Sequence, residues 1–547
     1  MRPLPLHLRP GFRIASVLST LALILLVGCG DRGRLSPPTL EPLLVHVDGP
    51  WLRDAKGRVV LLRGANVVSP EPTTSELQRV PNDAELAFLA ELGFNFVRLP
   101  VAWASVEPRP GLHDLAFLRE RVDPLLRAAS DHGMQVMLAL HQVRWSSCFL
   151  GGRGAPPWTC AGADVTREPR QGWGAIDAIA DVRAARAQCD FYRDAKAPDG
   201  APLRAHYAAT WSVLASYYEQ DKRIFAFDLL NDPSPGNCFP ADEFVKRVLS
   251  PFYAELRNRI REAGAPQAIA YQPAVARGDA LLGAPAAPGP PALFAPHLFG
   301  QTFGAPTDAR GATPPLEASY ARALTLAQVV GGPLVVGEIG ADAPPEGTYR
   351  PPTRDFLAAS LDELDRRLAS GAIWAFVPHA EIPAAGGPGI GNEADASVLA
   401  RPFARRIAGI PLEMRFDSGT AEFRLRFTDD TVVRPPDPSE IFVPAKRRYP
   451  DGFRVEVSEG DRWTFDEHQA WTEAATLVED DDVLRHITRG SREVRAGRNP
   501  RNPHSRAVSH DAHRRTHSRT NRRDRLVTTV DVDFSLRHAR NIERFVE

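Results

Sequence analysis

The sequence carries almost no net charge. Its 66 Lys and Arg residues stand against 67 Asp and Glu, leaving a formal charge of -1 over 547 residues. With no global field to recruit it, a role on nucleic acid or on an anionic membrane surface would need a local patch. Cysteine is scarce, five in all, and no two are spaced Cys-x-x-Cys, which removes the usual opening of a zinc motif. The apolar run near the N-terminus, Ile14 to Val27, falls short of the ~20 residues that a spanning helix needs. What is present is ordinary for a globular chain: 43% hydrophobic and 24% charged residues, with length enough for one large barrel and a smaller domain.

Arg2, Arg9 and Arg13 precede that apolar run, which closes on Leu26-Val27-Gly28-Cys29. This is the layout of a targeting segment, and it looks like a bacterial lipoprotein signal. On that reading residues 1 to 28 are removed and Cys29 bears lipid. Residues 29 to 44, Pro-rich from Leu35 to Pro42, then tether an exported protein to a membrane of the cell envelope. An ordinary cleaved signal peptide and an uncleaved anchor are the alternatives. Export gives Cys148, Cys160, Cys189 and Cys238 a meaning as disulfide partners, with three pairings open.

From residue 45 to 405 apolar runs alternate with amphipathic stretches. The strand candidates are Val59 to Val67, Phe94 to Val101, Gln135 to Leu140, Ile224 to Leu230, Ala268 to Pro273, Leu293 to His297, Leu334 to Gly337 and Ala372 to Val377. Runs too apolar to alternate read as parallel strands covered on both faces, and eight of them separated by helices predict an α/β fold, a (β/α)8 TIM barrel. Phe356, Leu357, Leu361, Leu364 and Leu368 share one helical face, with Gly371 placed to end that helix. The connection from Val143 to about Pro202 is unusually long, and loops of that length usually carry function. Its Trp145, Trp158 and Trp173 are candidates for an apolar wall, against loop self-packing. From residue 411 to 478 the period becomes strand-like and predicts a C-terminal antiparallel β-sandwich. Residues 479 to 547, rich in Arg, His, Asn and Ser, read as a disordered basic tail.

Two strand candidates end on a carboxylate. Phe227-Asp228-Leu229-Leu230-Asn231-Asp232-Pro233 closes the fourth, and Leu334-Val335-Val336-Gly337-Glu338-Ile339-Gly340 the seventh. The C-terminal ends of barrel strands converge on the mouth, so both carboxyls face one cleft, the minimum equipment for cleaving a glycosidic bond. Arg98, His141, Gln142 and His297 end other strands, and Trp374 lies in the eighth. An arginine beside a nucleophilic carboxylate keeps it ionised, and an indole at the mouth offers a platform for the apolar face of a sugar.

In order, Arg63-Gly64-Ala65-Asn66, Asn95 to Trp103, His141-Gln142, Asn231-Asp232-Pro233, Gly337-Glu338-Ile339-Gly340 and Trp374 resemble the strand-end motifs of glycoside hydrolase family five. Within that family the likeness is nearest to endoglycoceramidases, carried also by Val47 to Gly64, Ala400-Arg401-Pro402-Phe403 with Ile407 to Pro411, and Glu440 to Gly460. The resemblance implies a retaining hydrolase of a β-glycosidic bond, on a glycolipid or related β-glucoside, with neither metal nor organic cofactor. It implies Glu338 as nucleophile, Asp232 as acid/base, Asn231 on the sugar's 2-hydroxyl, and Arg98 supporting the nucleophile. His141, Gln142, His297 and Trp374 then line the sugar subsite. Three positions depart from the pattern: Asp232 for glutamate, Val143 for aspartate and Phe299 for tyrosine. A catalytically impaired glycan- or glycolipid-binding lipoprotein, or a polysaccharide endoglucanase, is the alternative on the same fold.

Overall fold

The computed structural model describes residues 45–67, 81–149, 152–160, 182–236, 238–275, 283–299, 316–340, 354–376 and 393–428. It also describes 430, 432–433, 438–450, 452–457 and four later strands. Residues 1 to 44, with Cys29, and Trp173 lie outside the described residues. Eight parallel strands form a ring: Arg63–Val67, Phe96–Ala102, Gln135–His141, Ile224–Asp228, Ala268–Tyr271, a sixth in two parts (Ala292–Phe294 and His297–Phe299), Val335–Gly340 and Ser370–Phe376. The sixth strand is interrupted at Ala295-Pro296, where proline cannot donate to the ladder, and a parallel bridge from Phe294 to Leu334 carries the ring across the gap. The expected (β/α)8 barrel is present.

Alternation along each strand sorts its side chains. Val97, Leu99, Val136, Leu138, Phe227, Ile269 and Ile373 join the large core under the helices, whereas Phe96, Met137, Ala226, Ala268, Ala270, Leu293 and Ala372 form a separate inner cluster. Side chains repeat every second residue on a strand. The inner row therefore continues from Phe96 to Arg98, from Met137 to His141, from Ala226 to Asp228, and from Ala270 to Gln272. Leu52, Val60 and Leu62 belong to the same inner cluster and stop the N-terminal end of the barrel.

The helix Arg354–Arg366 buries Leu357, Leu361 and Leu364 as its spacing predicts. Its end differs from expectation: Leu368 takes the left-handed conformation at φ 52°, and Gly371 sits inside the eighth strand. A Cβ at Gly371 would lie 2.8 Å from Ile339 Cδ1 and 3.1 Å from Leu364 Cδ1, so close packing of helix on strand explains this glycine.

The sandwich recruits more of the chain than residues 411 to 478. Its seven-stranded sheet runs His46–Asp48, Trp51–Arg53, Val59–Val60, Phe403–Ile407, Glu440–Phe442, Ala474–Thr476, Thr464–Asp466. The five-stranded sheet runs Ile410–Asp417, Glu422–Thr428, Thr529–Leu536, Phe453–Val457, Arg492–Ala496. Phe403, Ile407, Ile441 and Phe442 from the first pack with Met414, Phe423, Leu425, Phe453 and Val455 from the second. Two corrections follow. Strands at 46–60 and 403–407, expected in the barrel domain, belong to the sandwich. The stretch 479–547, expected to lack structure, supplies two strands, Arg492–Ala496 and Thr529–Leu536. At the junction Asp365 lies 2.8 Å from both Arg63 Nη2 and Arg401 Nη2, all three buried.

The cysteines pair Cys148 with Cys160 and Cys189 with Cys238. Among the described residues no helix is long and apolar enough to cross a membrane.

Candidate active site

The inner row ends at the C-terminal mouth in a connected set of polar groups. Arg98, fully buried, is the hub. Its Nη1 donates to Glu338 Oε1 at 2.5 Å and to Asn66 Oδ1 at 2.9 Å, and its Nη2 to Asn231 Oδ1 at 2.8 Å. Asp228, also fully buried, faces the same guanidinium, 2.9 Å from Nε and 2.7 Å from Nη2. A buried charge must be paired and hydrogen-bonded to persist, and here two carboxylates share one arginine. Burial would lower the Arg98 pKa, but Asp228 and Glu338 raise it above its ordinary value.

Glu338 is 3% exposed. Burial alone would raise its pKa; His297, Arg98 and His141 outweigh that and bring it down from 4.5 to about 2. His141 Nε2 lies 3.5 Å from Glu338 Oε1, and its ring stacks on Trp374 at 5.3 Å and 8°. Burial pushes His141 below its usual value. On the far side His297 Nδ1 is 2.9 Å from Asp232 Oδ1 and 3.6 Å from Glu338 Oε2. The 2.9 Å contact is an ion-pair distance without hydrogen-bond alignment, since neither ring nitrogen of His297 has an aligned partner among the described residues. Burial lowers the His297 pKa, but Glu338 and Asp232 together raise it above the ordinary imidazole value.

Asp232 is partly open, its side chain 37% exposed. Its Oδ2 accepts from Asn231 Nδ2 at 2.9 Å. Its backbone is left-handed at φ 43°, a conformation that Asp tolerates better than most residues. One oxygen of Asp232, one oxygen of Glu338 and a ring nitrogen of His297 all lie within 4.8 Å of one another. Carboxyls in retaining glycosidases stand about 5 to 5.5 Å apart. The same three groups are donors of the right type for a divalent cation, but Arg98 and a proton-favouring His297 already supply positive charge to both carboxylates.

The structure thus brings Glu338, Asp232, Asn231, Arg98, His141, His297 and Trp374 into one connected cluster at the strand ends. Gln142 stands behind it: its Nε2 donates to the Asn231 carbonyl at 3.0 Å and its Oε1 accepts from the Trp145 amide at 2.7 Å. Val143 brings no carboxyl to His141, whose acid neighbour is Glu338 at 3.5 Å, and Phe299 meets the His297 ring edge-on at 6.5 Å. Trp145, a candidate for an apolar wall, is 2% exposed and packs against Trp103 and Phe191, so self-packing describes it; Trp158 likewise packs on Trp103 at 5.3 Å. Sequence reasoning gave no role to Asp228 or Gln272, and quoted Asn66 within a motif without assigning it one. Asp228 left one signal, a charge inside an apolar strand.

The family model described as cellulase (glycosyl hydrolase family 5) matches residues 54–379. The chain belongs to glycoside hydrolase family 5. It is accordingly an O-glycosyl hydrolase, and the family 5 C-terminal domain model matches residues 401–483, within the sandwich. Among curated relatives, endoglycoceramidase I of Rhodococcus hoagii is 27% identical over 451 residues, covering 77% of this chain and 84% of that protein. Ergosteryl-beta-glucosidase of Saccharomyces cerevisiae is 32% identical over 154 residues, 22% of this chain and 20% of that one. The fold matches endo-glycoceramidase II from Rhodococcus sp., solved as a lactosyl-enzyme intermediate, with a TM-score of 0.64 and 23% identity over 89% of this chain and 99% of that chain.

Proposed function

We propose that this family 5 hydrolase cleaves the β-glycosidic bond between a glycan and a lipid, with retention of configuration. The observation that carries the mechanism is a buried, arginine-paired Glu338 with an Asp232 oxygen within 4.8 Å. In the first step the protonated Asp232 gives its proton to the glycosidic oxygen while Glu338 attacks the anomeric carbon, releasing the lipid alcohol and leaving a glycosyl ester on Glu338. In the second, Asp232 takes a proton from water, whose oxygen attacks the same carbon and frees Glu338. On this reading Asn231 and His141 take the sugar's hydroxyls and Trp374 its apolar face. The curated endoglycoceramidase relative, aligned over most of both chains, supports a glycolipid substrate. The steryl glucosidase relative aligns over a shorter stretch.

Incubation with a panel of glycosphingolipids, steryl glucosides and soluble β-glucans tests the assignment. Release of an intact β-configured oligosaccharide from the glycosphingolipids is expected, and Glu338→Gln lowers turnover by more than about a thousandfold. Release from soluble glucan alone would overturn the lipid assignment.

We further propose export and lipid attachment at Cys29, on the arginines and apolar run that precede it. Two disulfides in a reducing cytosol would be unusual, which supports an oxidising compartment. Labelled fatty acid incorporated by the wild type and lost in Cys29→Ala is the expected result; equal labelling would refute it.

A further inference from the structure

The peptide bond joining Asn231 to Asp232 is gripped from both sides by glutamines of neighbouring strands. On one side Gln142, after the third strand, donates Nε2 to the Asn231 carbonyl at 3.0 Å. On the other Gln272, after the fifth, accepts the Asp232 amide on Oε1 at 2.9 Å. A trans peptide points its C=O and N–H in opposite directions, so two acceptor and donor groups on flanking strands fix the rotation of that plane. The Gln272 amide is itself anchored. Its Nε2 donates to both Asp228 oxygens at 3.1 and 2.9 Å, the backbone carbonyl of Gln272 accepts from Tyr253 Oη at 3.1 Å, and the residue is 1% exposed.

The plane of that peptide sets φ of Asp232, and with it the direction in which its Cβ leaves the backbone. A carboxyl one methylene shorter than the glutamate expected here has less reach with which to correct an error in that direction, and φ 43° is a conformation the chain must be held in. We propose that Gln272 is a positioning residue: by holding the Asp232 amide against Asp228, with Gln142 opposite, it places the short carboxyl at proton-donating distance from the glycosidic oxygen. Gln272 does not touch the sugar. The nucleophile has independent support, because Asp228 contacts Arg98 directly at two nitrogens. This inference rests on Asp232 being the acid/base.

Dependence on the leaving group separates the possibilities. Dinitrophenolate departs without a proton, whereas phenolate needs one, so a misplaced acid slows only the second. The probes are dinitrophenyl and phenyl β-lactoside, with thermal melting checked for each variant. Gln272→Met keeps the volume and removes the hydrogen bond to the Asp232 amide and the two to Asp228. Its kcat/KM for the phenyl lactoside is expected to fall about a hundredfold, the usual effect of a 1 Å misplacement, with that for the dinitrophenyl lactoside nearly unchanged. Equal loss on both substrates, or no loss on either, overturns the proposal. Should Gln272→Met fail to fold, Gln272→Asn withdraws the amide by about 1.5 Å and is expected to show the same selectivity in weaker form; a wild-type ratio there overturns the proposal equally. Asp232→Ala is the control for the underlying assignment. If it loses both substrates alike and azide restores nothing, Asp232 is not the acid/base, a failure distinct from that of Gln272.

Discussion

An arginine with no exposure persists only where each of its donors finds an acceptor, and Arg98 finds Glu338, Asp228, Asn66 and Asn231. The consequence for Glu338 is a pKa of about 2 against an ordinary 4.5. A depressed carboxyl pKa contributes stability that is present above 4.5 and lost as pH falls toward about 2. The nucleophile stays ionised over the same range, so the acid limb of kcat/KM is expected below pH 4.5; a limb at or above 4.5 would show that Arg98 and the histidines do not hold it. His297 works in the opposite sense. Its raised pKa contributes stability below the ordinary 6.5 that is lost as pH rises through the higher folded value. Asp232 leads to a different prediction. Its oxygen already lies within 4.8 Å of Glu338 and its neighbours are in place, so Asp232→Glu pushes a second charge toward the nucleophile. Turnover of an aryl β-lactoside is expected to fall by on the order of a hundredfold; an increase would mean the site is impaired by its shorter acid. Glu338, Asn231 and Arg98 were legible because each interrupts an apolar run. Gln272 was not, since nothing in its own segment reveals the amide it holds forty positions away in the chain.

At the level of elements, the barrel strands were readable from uninterrupted apolar runs, and the break in the sixth strand coincides with a visible proline. The long insertion was not readable in the same way. Its aromatics pack on Trp103, which opens the short helix Trp103–Val106 after the second strand, and contact between segments so distant leaves no periodicity. The Cys189–Cys238 bridge ties the helix Val182–Tyr192 of that insertion to the loop five residues beyond Pro233. Closing a loop with sequence separation 49 stabilises by about 4 kcal/mol in the chain-entropy model. Replacing both cysteines by serine is expected to lower the unfolding free energy by about that much in denaturant titration. A loss of a few tenths would show the bridge to be peripheral.

For the whole molecule, the sequence marked a sandwich but not its extent. Strand pairing across hundreds of residues has no local signal, and the short strands near residue 50 looked like the start of the barrel. The strand Thr529–Leu536 lies between Glu422–Thr428 and Phe453–Val457, so it is interior to its sheet. Truncation after residue 478 also removes Arg492–Ala496 and is therefore expected to leave Glu422–Thr428 open on one edge and Phe453–Val457 open on both, lower the melting temperature and promote aggregation. An unchanged melting curve would mean that the removed segment carries no structural weight.

That central placement also orders events in time. During synthesis the strands at 422–428 and 453–457 emerge before the one that joins them, and they must wait with open backbone groups for about seventy further residues. Assembly of the smaller domain is thus the final act of folding, timed by the passage of the chain rather than by the barrel, and a stalled or shortened product would be recognisable to proteases by that unfinished sheet.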